Sequence, residues 1–308
     1  MQVSWKGVYP AVTTKFKADG SLDIPGFLHN IQAQVDAGVA GIIIGGSLGE
    51  SSTITHEERL ELLRAALDQT SGTVPVILNI AEGATQTAVR LAKMAKAAGA
   101  HGLMLLPPMM YRPTPSETVR FFKTVAASID LPILLYNNPV DYKTEITVPM
   151  FEDFIAHENI QAVKESTRDI SNVTRMRSAY GDRFKLLCGV DTLAMEELLM
   201  GADGWVAGLV NAFPAETVAV YRLTKSGQTE AALAIYRWFL PLLELDISPQ
   251  LVQNIKLAEA MTGLGNEHVR PPRVPLEGAE RARVIALLEK HLADRPVLPD
   301  YLNIKIND

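Results

Sequence analysis

The feature that most limits what this chain can fold into is an eightfold recurrence between residues 7 and 226: a short apolar segment rich in branched side chains, followed by a stretch with helical spacing. The strand-like segments are Gly7-Thr14, Val39-Gly46, Val74-Ile80, His101-Leu106, Pro132-Asn137, Ile160-Lys164, Lys185-Cys188 and Gly204-Leu209. The helix-like stretches are Ile24-Ala37, His56-Thr70, Thr85-Ala98, Ser116-Ser128, Pro149-His157, Ser171-Tyr180, Thr192-Met200 and Pro214-Ser226. Strand starts fall about 20 to 34 residues apart, the size of one strand plus a crossover helix and two short loops. The strands do not alternate: Gly41-Ile42-Ile43-Ile44 and Leu103-Met104-Leu105-Leu106 are continuous apolar runs, as parallel strands covered on both faces require.

Eight such units predict a (β/α)8 TIM barrel over residues 1–226, because a doubly wound sheet more often stops at five or six strands. Loop chemistry agrees with that register. Thr55-His56-Glu57-Glu58 has capping-box spacing, and Ala37-Gly38, Ala98-Gly99 and Met200-Gly201 each put a glycine where a helix must stop. Residues 227–294 contain Glu230-Leu243, Pro249-Thr262 and Ala279-Ala293, which predict a C-terminal helical extension packed on the barrel with no linker between them. Residues 295–308 lack periodicity and read as a tail.

Composition narrows the function classes. The 35 acidic and 29 basic residues give a formal charge of -6 with no long basic block, so the electrostatic footprint of a nucleic-acid binder is missing. A single cysteine, Cys188, excludes an internal disulfide and a multi-cysteine metal cluster. The histidines, His29, His56, His101, His157, His268 and His291, show no metal-ligand spacing, so no metal is expected. Residues 1–15 lack the apolar region of an export signal, and no run approaches the ~20 apolar residues that cross a bilayer. The expectation is a soluble cytoplasmic protein acting on a small molecule, without nucleic-acid or membrane partners.

In such a barrel the active site lies at the C-terminal ends of the strands, so polar residues that close apolar strands are the first candidates. These are Ser47 with Glu50, Tyr136 with Asn137, Lys164, and Asp191. Lys164 follows Ile160-Gln161-Ala162-Val163 and can point into the barrel mouth, where desolvation leaves a neutral, nucleophilic amine. The competing reading is a snorkelling lysine paired with Glu165 or Asp169. Tyr136 is either a core ring with a satisfied hydroxyl or a phenol that relays a proton. The loop Gly45-Gly46-Ser47-Leu48-Gly49-Glu50-Ser51-Ser52-Thr53 offers backbone N–H groups and hydroxyls to a carboxylate or phosphate. It lacks a P-loop lysine and a dinucleotide fingerprint.

These same motifs, Gly46-Ser47-Leu48-Gly49-Glu50-Ser51, Leu135-Tyr136-Asn137-Asn138-Pro139, Val163-Lys164-Glu165-Ser166 and Gly189-Val190-Asp191, occur in the order and spacing of a known family. Over roughly residues 6 to 293 the chain resembles the dihydrodipicolinate synthase / N-acetylneuraminate lyase family of Schiff-base-forming barrel enzymes. The resemblance implies an imine between Lys164 and a 2-keto acid, a proton carried by Tyr136, and a substrate carboxylate held by Ser47 and the Leu48 amide. It also implies a homotetramer or homodimer and no metal or organic cofactor, while Asn137, Asp141 and Val206 are further candidate substrate contacts.

Departures from the synthase pattern bear on substrate. Synthases usually carry two threonines where Ser47 and Leu48 stand, a tyrosine donated across the subunit interface where Met110 stands, and an arginine where Asp141 stands. Without that arginine the second carboxylate of aspartate semialdehyde loses a guanidinium fork, which disfavours a synthase of lysine biosynthesis. Whether Tyr111 replaces the tyrosine missing at Met110 is left open by the sequence.

The segments Tyr136-Asn137-Asn138-Pro139-Val140-Asp141-Tyr142-Lys143, Trp238-Phe239-Leu240-Pro241-Leu242-Leu243 and Arg270-Pro271-Pro272-Arg273 resemble the branch of 1-pyrroline-4-hydroxy-2-carboxylate deaminases. That branch releases ammonia and 2,5-dioxopentanoate in hydroxyproline degradation. The alternatives are 4-hydroxy-tetrahydrodipicolinate synthase and a 2-keto-3-deoxy sugar acid aldolase or dehydratase. A ligand-binding family member without turnover is the reading from a different class.

Overall fold

The computed structural model describes residues 1–306. Strands β1 (Gly7–Pro10), β2 (Ile42–Ile44), β3 (Val76–Ile80), β4 (Gly102–Leu105), β5 (Ile133–Asn137), β6 (Ile160–Glu165), β7 (Lys185–Cys188) and β8 (Gly204–Ala207) pair in parallel in the order β1-β8-β7-β6-β5-β4-β3-β2. The ring closes where Ala11 bridges Ile43 and the Val12 amide donates to the Ile43 carbonyl at 2.9 Å. This is a (β/α)8 barrel. Most of its strands are shorter than the apolar runs that announce them. Thr13 and Thr14 follow that closing bond, stay buried and leave the ladder, because burial extends into the barrel mouth beyond the last strand hydrogen bond.

Helices α1 (Ile24–Asp36), α2 (His56–Thr70), α3 (Thr85–Ala97) and α4 (Pro115–Ala127) cover the first half of the barrel. The Thr55 and Glu58 side chains and backbones complete the capping box of α2, and Thr114 with Glu117 does the same for α4. The fifth crossover departs from the expected helix Pro149-His157. Pro139 begins a single turn, α5 (Pro139–Tyr142), which Asn138 caps by accepting the Asp141 amide at 3.1 Å. What remains before β6 forms a 3-10 stretch, Val148–Phe154, with Met150, Phe151 and Phe154 buried. Helices α6 (Ser171–Tyr180), α7 (Ala194–Leu199) and α8 (Pro214–Lys225) complete the ring.

The extension comprises α9 (Thr229–Leu243), α10 (Leu251–Thr262) and α11 (Gly278–Ala293), with a 3-10 turn, Glu244–Ile247, between α9 and α10. Two buried ion pairs tie it to the barrel: Lys15 to Glu259 at 2.7 Å and Lys256 to Glu50 at 2.5 Å. Residues 301–304 of the tail lie beside α8, where the Arg222 guanidinium donates to the carbonyls of Tyr301 (3.2 Å) and Leu302 (2.6 Å), and residues 307–308 of the expected tail fall outside the described residues. Among the described residues no helix is long and apolar enough to cross a membrane.

Candidate active site

Lys164 and Tyr136 are the penultimate residues of β6 and β5 and are direct register partners across that strand pair. Their side chains therefore leave the barrel together, and the Lys164 Nζ lies 4.0 Å from the centre of the Tyr136 ring. Gly189, just past β7, makes room for this: a Cβ there would overlap Ser166 Oγ and lie 2.7 Å from Lys164 Cε. Both side chains line a cavity of about 300 Å³, together with Ser47, Leu48, Asp141 and Val206. A larger open groove of about 840 Å³ between α4 and the 3-10 stretch gathers Arg120, Lys123, Asp153 and His157 on the outer surface, without a buried nucleophile.

The β2–α2 loop presents the Ser47 and Leu48 amides, which make no hydrogen bond within the described chain. The loop itself is held from behind, with Thr14 Oγ1 donating to the Gly49 carbonyl at 2.6 Å and Asn79 Nδ2 to the Gly45 carbonyl at 2.9 Å. The arrangement can receive a carboxylate on backbone N–H groups. Ser47 Oγ shares a short hydrogen bond with the hydroxyl of Tyr142, whose ring meets Tyr136 edge to face at 5.6 Å. Asn138 Nδ2 donates to the Tyr136 hydroxyl at 3.1 Å and to Asp141 Oδ2 at 2.7 Å.

Burial pushes the Lys164 pKa below its ordinary value, opposed by Asp246, Tyr142, Asp191 and Cys188. The ammonium makes no hydrogen bond or ion pair among the described residues, so little compensates for its lost hydration. Burial pushes the Tyr136 and Tyr142 phenols up, which keeps both protonated and able to donate. A desolvated amine beside a proton-bearing phenol is equipped to attack a carbonyl and to manage the proton of the resulting carbinolamine.

The other candidate residues have separate duties. The Asn137 side chain does not line the cavity: its Oδ1 accepts the Ile146 amide at 2.9 Å and its Nδ2 donates to the Ile146 carbonyl at 3.1 Å, bracing the α5 loop. Glu50 turns away into its pair with Lys256. Asp191 is buried beside the cavity and accepts from Trp205 Nε1 at 2.9 Å and from the Gly208 and Leu209 amides at 3.1 and 2.8 Å, pinning the exit of β8. Burial raises its pKa and these bonds oppose the rise. Met110 is 87% exposed and Tyr111 is 55% exposed, and neither lines the cavity.

Sequence reasoning passed over Tyr142, Asp246, Arg168 and Arg273, all of which line the cavity. Tyr142 stood within a quoted motif, one residue beyond the aspartate that drew attention. Arg168 adopts φ of 64°, a left-handed backbone that costs a side-chain-bearing residue about 1 kcal/mol or more. Asp246 comes from the extension, which the strand-end rule does not cover.

Comparison with known proteins agrees with this geometry. The dihydrodipicolinate synthetase family matches residues 4–291. The 4-hydroxy-tetrahydrodipicolinate synthase of Exiguobacterium sibiricum is 33% identical over 285 residues, covering 92% of this chain and 96% of that one. That of Methanoculleus marisnigri is 31% identical over 293 residues, covering 93% and 99%. Among solved structures, dihydrodipicolinate synthase from Aquifex aeolicus aligns with a TM-score of 0.88 at 28% identity, covering 98% of this chain and all of that one. YagE, a prophage protein of the same family from E. coli K12 solved with pyruvate, aligns with a TM-score of 0.88 at 29% identity, covering 94% and 99%. The chain belongs to the dihydrodipicolinate synthetase family, whose members are aldolase-like lyases.

Proposed function

We propose that the chain forms a Schiff base between Lys164 and C2 of a small 2-keto acid or cyclic imino acid. The observation that carries this is the unpaired, buried Lys164 amine above Tyr136 at the mouth of the barrel. In this reading the Ser47 hydroxyl and the Leu48 amide hold the substrate carboxylate, Tyr136 carries protons, and Val206 forms the apolar wall. Asn137 acts at one remove, through the loop that carries Asp141. Borohydride with pyruvate should add a stable mass to Lys164. A chain that binds pyruvate without trapping it is a ligand-binding module instead.

The finer reading is deamination of 1-pyrroline-4-hydroxy-2-carboxylate to 2,5-dioxopentanoate and ammonia. Lys164 attacks C2 of the cyclic imine, and transimination opens the ring to leave a free amine at C5. Loss of a C3 proton gives an enamine that expels the C4 hydroxyl as water. Migration of the double bond to C5 and two hydrolyses release ammonia and then product, with one water consumed overall. What supports this reading is charge: Asp141 lines the cavity, and a carboxylate there favours a substrate that develops a cationic amine.

A second reading is favoured by the curated relatives, which carry the name 4-hydroxy-tetrahydrodipicolinate synthase. Arg168 and Arg273 at the cavity could serve a second carboxylate in that reaction, although an aspartate occupies position 141. Ammonia release from the hydroxylated pyrroline carboxylate, run against pyruvate plus aspartate semialdehyde, separates the two. Pyruvate plus an aldehyde as products would point to a sugar-acid aldolase. Oligomeric state, expected to be a tetramer or dimer, is read by light scattering on the same sample.

A further inference from the structure

We propose that Asp246, donated by the C-terminal extension, is the acid–base residue that serves the far end of the substrate, where the bond beyond C3 breaks. The inference rests on the Lys164 imine and adds to it a second proton-transfer group. The 3-10 turn Glu244–Ile247 brings Asp246 into the wall of the cavity that also holds Lys164 and Tyr136. Its carboxyl is seated against the chain as β8 exits. A Cβ on Gly208 would overlap the Asp246 carboxyl oxygen, so only glycine at 208 admits it. Gly208 is itself fixed, because its amide donates to Asp191 and its carbonyl accepts from Asn211 Nδ2 at 2.8 Å.

The contrast with Asp191 shows what Asp246 is free to do. Asp191 is saturated by three N–H donors, whereas the Asp246 carboxyl accepts no hydrogen bond from the described residues and faces the cavity. The charged groups facing it are Lys164, Asp191, Asp141 and Arg168. Burial, reinforced by Asp191, raises its pKa well above the usual carboxylate range, so a proton is available on it. Tyr136 cannot easily serve both ends of the reaction, since its ring lies against the Lys164 amine and its hydroxyl is held by Asn138.

In the deamination reading the step balances as follows. The enamine nitrogen of Lys164 donates its lone pair to form the C=N bond, and the C2=C3 pair moves to C3=C4. The C4–O bond breaks, and the oxygen departs as water with the Asp246 proton. The Asp246 carboxylate left behind then faces the amine on C5.

The test compares Asp246→Asn and Asp246→Glu with the unaltered chain. Borohydride trapping of pyruvate on Lys164 should stay within about twofold in D246N, because imine formation does not use Asp246. Turnover should fall by roughly a hundredfold or more, as expected when a general acid is removed, with D246E recovering part of it. Turnover is read as ammonia release from the hydroxylated pyrroline carboxylate and as condensation of pyruvate with aspartate semialdehyde. The basic limb of the kcat profile, where Asp246 gives up its proton, should disappear in D246N. Turnover within about threefold of the unaltered chain, or trapping that falls in step with turnover, overturns the proposal. If the unaltered chain traps pyruvate and condenses it yet releases no ammonia, the deamination reading alone falls, and the effect of D246N on condensation decides this one.

Discussion

Three lysines are buried in this protein, and comparing them shows what sets Lys164, the proposed nucleophile, apart. Lys15 and Lys256 are 0% exposed and Lys164 is 7% exposed. Burial lowers the pKa of all three, that of Lys256 to about 8. Yet Lys15 pairs with Glu259 and Thr13, and Lys256 pairs with Glu50 and the His268 carbonyl, whereas Lys164 has a tyrosine ring beneath it and an open cavity above. Desolvation alone does not make a reactive amine. A paired ammonium is stabilised as a cation and its lone pair is unavailable, whereas an unpaired one is pushed toward the neutral form that attacks carbon.

Lys164→Ala is the largest lever on that difference. It should abolish borohydride trapping and lower turnover by at least about 10⁴-fold, since the covalent route is gone. Retention of near-normal activity would break the imine mechanism. Tyr136→Phe should lower kcat by roughly 10²–10⁴-fold while a mass on Lys164 can still be trapped slowly. Equal trapping rates in this variant and the unaltered chain would show that the phenol takes no part in imine formation.

The paired lysines should behave in the opposite way. Lys256→Met removes the ammonium from buried Glu50, which keeps the Arg270 amide at 3.1 Å and Arg273 at 3.8 Å, and should cost about 3 kcal/mol of stability, measured by denaturant unfolding. The folded fraction should still trap pyruvate, and loss of trapping there would erase the distinction drawn here. A smaller effect concerns the buried acid Glu197, whose carboxyl lies beside the Cys188 thiol and whose pKa burial, reinforced by Glu165, pushes up to about 8. The folded state then holds a proton that the unfolded state loses near pH 4.5. Stability is full below that pH and is lost as pH rises toward 8. Glu197→Gln should flatten this slope and raise stability by on the order of a few kcal/mol at pH 8, read from urea unfolding at pH 5 and pH 8.

Much of this molecule was legible along the chain. The apolar runs of β2 and β4 mark strands buried on both faces, and Thr55 with Glu58 marks the start of α2 within a residue. Lys164 and Tyr136, singled out as polar residues at the ends of apolar strands, both line the cavity, because the C-terminal ends of the strands converge on the barrel mouth. Boundaries of β1 and β8 were overextended because hydrophobicity reports burial and not ladder hydrogen bonding. The helix expected over Pro149-His157 gave way to α5 and a 3-10 stretch, since Asn138 and Pro139 start a turn early. Asn137 and Asn138 are adjacent and alike in sequence, yet successive residues leaving a strand point in opposite directions, so one braces a loop while the other touches Tyr136.

The sequence by itself determined the repeat, the strand-end lysine that the structure brings to the cavity, and the family, because periodicity and local motifs are properties of neighbouring residues. Only the tertiary structure decided which lysine is left unpaired, that Tyr142 reaches Ser47, and that Asp246 enters the cavity from the extension. Each of these depends on elements far apart in the chain, 206 residues in the case of Glu50 and Lys256. Pairing of buried charge is settled by where those elements meet in space, and no local pattern carries that information.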